Sequence, residues 1–293
     1  MEPLSVALFQ AALALTGVAA LCYLLSLVRL RLGSRIMLTT TGAQVAVASD
    51  APLPLDIAGR IATTAALAML ATSLIVRWQA SGWAPWTNMW EYTVAFSGGI
   101  LAFHLAFEHF QGDKRVSVVT LPTALTLMLI AQFFFPTKIN PLVPALQNGD
   151  ILALHVGVLI LAYGALTTSF GAAVLLVIQA GKRNRFPSLP RAATLNTVAF
   201  RSVAAGFPLL TAGIALGAYW ANSAWGRYWG WDPKETSILI SWLIYGTYLH
   251  THNLRKWSGT RSTVILIVGY ASILFSYFAV NLYVAGLHSY AGV

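Results

Sequence analysis

The stretch "WGRYWGWDPKETSILISWLIYGTYLHTH", Trp225 to His252, changes character halfway. Its first part packs three tryptophans and a tyrosine around Gly226 and Gly230. Two glycines let the backbone turn sharply between the rings. Asp232, Pro233 and Glu235 then read as a helix start, with an N-cap, a proline at the first helical position and an acid in the first turn. The second part, residues 236 to 252, is apolar and long enough for a membrane helix. A short aromatic, charged loop is thus wedged between two greasy segments, and the fold has to explain that loop.

The rest of the chain supports a lipid setting. Of 293 residues, 57% are hydrophobic and 9% charged, with mean hydropathy +0.69. A soluble domain carries about 25% charged residues, so this surface is not built for water. Spans need about 20 mostly apolar residues. Eight segments qualify, roughly 4–28, 57–77, 88–108, 116–135, 150–180, 199–221, 236–252 and 262–285. The predicted fold is an all-α polytopic transmembrane bundle of about eight spans, one membrane domain over residues 1–293. The segment from Leu30 to Asp56 reads as a flexible linker.

The net charge of +9 raises nucleic acid as a partner, but the cations fall in short clusters between apolar runs. That is a topology signal, so no nucleic acid is expected. Fourteen Lys and Arg fall in alternate inter-span segments on one side; Arg77, Lys138, Arg227 and Lys234 fall on the other. The positive-inside rule then places both termini outside, with the tryptophan loop (about 222–235) external, between spans six and seven. Glu2 before the first apolar run, and arginines after it, argue against a cleavable signal. A single cysteine, Cys22, excludes an internal disulfide, a Cys-x-x-Cys pair and a thiolate metal cluster. No phosphate-cradling glycine loop is present.

Histidines carry the functional signal. His155 lies about one turn into the fifth span, and His288 lies just past the eighth, both at the external level of the tryptophan loop. His250 lies 15 residues past Glu235, roughly 22 Å deeper along a helix. His252 should face another way, and His104, His109 and His252 read as interfacial polar contacts. Two imidazoles beside indole faces suit a flat macrocycle with a central iron better than a bare zinc. Ring stacking suits its π surface, and the outer cations suit its carboxylates.

These residues resemble the WWD-motif haem-handling proteins of cytochrome c biogenesis, most of all the CcsA/ResC type of System II. "LQNGDILALHVGVLILAYGAL" (Leu146–Leu166), "NLYVAGLHSYAG" (Asn281–Gly292) and "NMWEYTVAF" (Asn88–Phe96) agree with it. The resemblance implies haem b, held noncovalently, presented outside the membrane and joined by two thioether bonds to the Cys-x-x-Cys-His motif of an apocytochrome c. It implies His155 and His288 as axial iron ligands and a loop of Trp225, Arg227, Tyr228, Trp229, Trp231, Asp232 and Lys234 around the haem. It also implies His250 at a transmembrane haem site, a CcsB/ResB-type partner subunit and thiol-reducing thioredoxin-like proteins. The membrane would be the bacterial plasma membrane, active on its outer face, or the thylakoid membrane, active in the lumen. Ser237, where the family often has Trp, and His252, where Arg is frequent, depart from the pattern. A CcmC-like haem delivery protein, a transporter with an aromatic gate and a membrane scaffold are the competing readings.

Overall fold

The computed structural model describes residues 1–32, 35–38, 44–47, 54–111, 114–142, 149–179, 186–255, 257 and 259–288. Each of the eight apolar segments is a helix. They are α1 (Glu2–Leu32), α2 (Pro54–Ser81), α3 (Met89–Gln111), α4 (Ser117–Phe134), α5 (Gly149–Gln179), α6 (Ala192–Trp225), α7 (Pro233–Arg255) and α8 (Thr260–Leu274). A π-helical turn, Phe275–Ala279, carries α8 into the short α9 (Val280–Tyr283). Six of these stretches are long and apolar enough to cross a membrane; α3 and α7 fall short on composition. Polar side chains used inside the bundle lower their apolarity, Glu91 and His104 in α3 and Ser237 and Ser241 in α7.

One expectation needs correcting. The stretch read as a flexible linker contains an antiparallel strand pair, β1 (Arg35–Leu38) and β2 (Gln44–Val47), with Arg35 opposite Val47. Ile36, Val45 and Val47 are strand formers, and the composition of the flanks hid them. Lys182, Arg183, Arg185 and Lys256, four of the cations that fixed the expected orientation, lie outside the described residues.

Helices in lipid gain little from hydrophobic sorting, so they associate where small residues let them approach. Glycines do this here. Gly99 of α3 lies against Ile160 and Gly164 of α5. Along α6, Gly206 meets Ala165, Gly213 meets Leu159 and Gly217 meets His155 of α5. Rising numbers on one helix meet falling numbers on the other, so α5 and α6 run antiparallel, with Gly217 and His155 at the end near the tryptophan loop.

Buried polar groups tie the remaining helices. Arg77, at the end of α2, is fully buried; its Nε donates to Glu91 Oε1 at 2.7 Å and its Nη2 to the Thr137 carbonyl at 2.6 Å. Its guanidinium also lies 4.6 Å from the centre of the Trp90 ring. Glu91 Oε2 accepts from the backbone N–H and the hydroxyl of Thr87, both at 2.9 Å. At the far end of the bundle Tyr23 donates to Glu108 at 2.6 Å, and Lys114 pairs with Asp56 at 2.5 Å.

Candidate functional site

The loop between α6 and α7 is built by its turns. Gly226, with φ of 71°, ends α6 in the left-handed region and returns its N–H to the Asn222 carbonyl at 2.9 Å, the usual glycine stop. Trp231 has φ of 57°, the one non-glycine residue with positive φ among the described residues. A bulky side chain there costs of order 1–3 kcal/mol, so the surroundings must hold it. They do. Glu235 Oε2 accepts from the Gly230 N–H at 2.8 Å and the Asp232 N–H at 3.1 Å. Asp232 Oδ2 accepts from the Lys234 N–H at 3.0 Å. Asp232 thus caps the Lys234 N–H while Glu235 reaches back to the cap's own N–H, and the expected helix start is where the sequence put it.

Asp232 does more than cap. His288 Nδ1 lies 2.7 Å from its Oδ2, and the Leu287 N–H donates to its Oδ1 at 2.6 Å. Burial alone raises the Asp232 carboxyl. The hydrogen bonds from His288, Lys234 and Leu287 outweigh that and hold it below the usual carboxylate range. Burial pushes the His288 imidazole down, the Asp232 contact pulls it back, and it stays below its ordinary value. A neutral ring that donates from Nδ1 carries its lone pair on Nε2. Trp225 meets this ring edge-on at 4.9 Å, and Trp220 lies 6.0 Å from it.

His155 is arranged the same way from the other side. Its Nδ1 lies 2.7 Å from the Gly213 carbonyl, which can only accept, so Nε2 again bears the lone pair. Ring and helix are in contact: a Cβ on Gly217 would sit 2.5 Å from His155 Cε1.

Both histidines line one cleft of about 980 Å³, counted out to its mouth. Of the loop residues named from the sequence, Tyr228, Trp229 and Lys234 line it. Trp225 and Asp232 reach it through His288, whereas Arg227 and Trp231 are exposed and outside its lining. The outer cations play a smaller part than their sign suggests. Arg77 is engaged with Glu91, Lys138 is exposed, and Lys234 Nζ donates to Asn281 Oδ1 and, at 3.3 Å, to the Ser276 carbonyl in the π-turn.

The sequence reading missed most of the wall: Trp86, Asn88, Tyr92, Tyr163, Trp220 and Asn281. Three of these carry buried donors, Trp86 Nε1, Asn88 Nδ2 and Trp220 Nε1, with no hydrogen-bond partner among the described residues. Indoles and amides in lipid-facing loops were the available signal for them, masked by the general wealth of aromatics. The cleft therefore brings together two imidazoles from separate elements, an aromatic lining and buried N–H donors. That set fits a haem with its iron, flat ring and carboxylates.

His250 and His252 lie deep on α7 and face different ways, as the spacing requires. His250 is exposed on the bundle's outside; His252 stacks on Phe200 at 4.4 Å, with Nδ1 buried and unpartnered among the described residues. His104 is buried near Thr120 and Glu108, and His109 rests edge-on to Phe110.

Comparison with known proteins identifies the family. The family model described as cytochrome C assembly protein matches residues 83–288, a stretch that contains every residue lining the cleft. The cytochrome c biogenesis protein CcsA of Synechococcus elongatus is 35% identical over 271 residues, covering 75% of this chain and 83% of its own. That of Thermosynechococcus vestitus is 35% identical over 280 residues, covering 80% and 88%. That of Marchantia polymorpha is 32% identical over 282 residues, covering 81% and 88%. Among solved structures, cytochrome c heme lyase CcmF shares the fold, with a TM-score of 0.65 over 94% of this chain. Identity there is 19%, and this chain spans 46% of that one.

Proposed function

The chain belongs to the cytochrome c assembly protein family, and from that premise we propose that it binds haem b noncovalently in the cleft and presents it, outside the membrane, for attachment to apocytochrome c. The observation that carries this is the pairing of His155 and His288 on one cleft, each with Nδ1 already engaged. Ligating histidines are commonly oriented by such an outer partner. A role in cytochrome c biogenesis and an integral membrane setting follow from the family and from six helices able to span.

In this reading the protein's work is positioning. His155 and His288 offer Nε2 lone pairs, and Gly213 and Asp232 hold the rings so that those lone pairs stay available. Trp220 and Trp225 pack around His288 and keep water from it. Trp86, Asn88 and Trp220 supply N–H donors for carboxylates, and Trp229 and Tyr228 flank the cleft. His155 and His288 would hold the haem iron, and the haem would supply vinyl groups to which the thiols of a Cys-x-x-Cys-His segment add. Cys22 lies in α1, outside the lining, and offers no competing thiol.

Eight spans, external termini and an external tryptophan loop complete the picture, with the whole chain acting as one membrane domain. His250, on the outward face of α7, suits a second haem site completed by a CcsB/ResB-type subunit. Thioredoxin-like proteins would keep the substrate's thiols reduced.

The test is a pyridine haemochrome assay on the purified protein, with visible spectra of His155→Ala and His288→Ala. Haem in the wild type, low-spin bands weakened in both variants and recovery with added imidazole are expected. Unchanged spectra and unchanged cytochrome c maturation in both variants would reject the assignment.

A further inference from the structure

Asp232 stands where three parts of the chain meet, and its carboxylate is spent on more than a helix start needs. Its side chain is 3% exposed. One oxygen, Oδ2, accepts from the Lys234 N–H and from His288 Nδ1. The other, Oδ1, accepts from the Leu287 N–H. The chain at Gly286 presses against it so closely that a Cβ there would sit 2.6 Å from Oδ1. Capping needs one acceptor, which Asn provides as well as Asp. The second oxygen, the remaining lone pair of the first and the negative charge are therefore left for the segment 286–288.

His155 has no such partner. Its Nδ1 faces the neutral Gly213 carbonyl. The two imidazoles share one tautomer but differ in what holds it.

We infer that Asp232 is a positioning residue that locks His288 in its Nδ1–H tautomer, pins residues 286–288 to the first turn of α7, and makes His288 the stronger of the two donors. The last clause rests on the haem reading; the first two concern the protein alone. A carboxylate behind a histidine raises the basicity of the other nitrogen, and loss of such a partner costs about 10–100-fold in metal affinity. A neutral backbone carbonyl does less, so His155 is the weaker hold and the one an incoming histidine displaces more readily.

The experiment uses the full chain in detergent, labelled with 15N-histidine and free of haem. His288 is assigned by the signal lost in His288→Gln. Neutral histidine in water favours the Nε2–H tautomer, so a pure Nδ1–H signal for His288 in the wild type supports the lock. A predominantly Nε2–H signal overturns it, whatever becomes of any variant. Asp232→Ser keeps a cap oxygen and removes the carboxylate that His288 and Leu287 use. Helical content should hold, the Nε2–H form should appear at His288 and not at His155, and haem affinity should fall about 10–100-fold with a raised haem reduction potential. An unaltered tautomer, affinity and potential in that variant would refute the role. A wild type that takes up no haem would remove the functional reading while the tautomer result still judged the lock.

Discussion

Gly217 gives His155 its place by having no side chain. A methyl group there would overlap the imidazole at 2.5 Å from Cε1 and 2.8 Å from Nδ1. Gly217→Ala should therefore push the ring off the Gly213 carbonyl, at about 1–3 kcal/mol for the overpacking. The haem bands should weaken as in His155→Ala while helical content holds, measured by visible spectra and circular dichroism on one sample. Acid should have a sharper effect on His288. Its imidazole sits below the ordinary histidine value because burial outweighs the Asp232 contact. A proton on Nε2 competes with iron, so binding is complete at neutral pH and is lost as pH falls through a midpoint below about 6.5. A haem titration from pH 8 downward checks this, and a midpoint above the ordinary value would contradict it. At this scale the sequence was partly legible. Asp232, Pro233 and Glu235 announce a capping box because capping is local chemistry. The direction each tryptophan faces was not legible, since a positive φ at Trp231 turns its ring away from the cleft's lining, and no composition encodes that angle.

Elements were read well in number and poorly in how they cross. All eight helices fall where apolar length places them, because a run of that length has few other folds in lipid. Their crossings depend on which glycine meets which neighbour, as at Gly99 against Gly164 or Gly213 against Leu159, and those meetings are long-range. The Arg77–Glu91 pair shows the cost of missing them. Arg77 read as an outer cation, yet it and Glu91 are 0% and 1% exposed and clip α2, α3 and the chain at Thr137 together. Removing one member of a buried pair costs about 3–5 kcal/mol. Arg77→Met should lower thermal stability in detergent by that order and loosen the Thr87–Asn88 wall of the cleft. Arg77→Met with Glu91→Met should recover much of the loss. A single variant as stable as the wild type would show that the clip contributes nothing.

For the molecule as a whole, orientation is the open prediction. In a Cys22→Ser background, Tyr228→Cys should react with a membrane-impermeant maleimide added outside intact cells, and Arg261→Cys only after permeabilisation. The opposite pattern would invert the topology. The presence of a cleft was legible from two histidines and a loop at one level. Its far wall was not, because Trp86 and Asn88 of the α2–α3 loop, Tyr163 of α5 and Trp220 of α6 meet only after packing. That scattering has a consequence for synthesis. The two imidazoles are 133 positions apart, and the second follows every helix of the bundle. A ribosome-bound intermediate with every earlier helix inserted still owns half a grip. Under the proposed haem reading, cargo would be gripped from both histidines only once all the helices are threaded, and the order of translation would guard the cleft against premature loading.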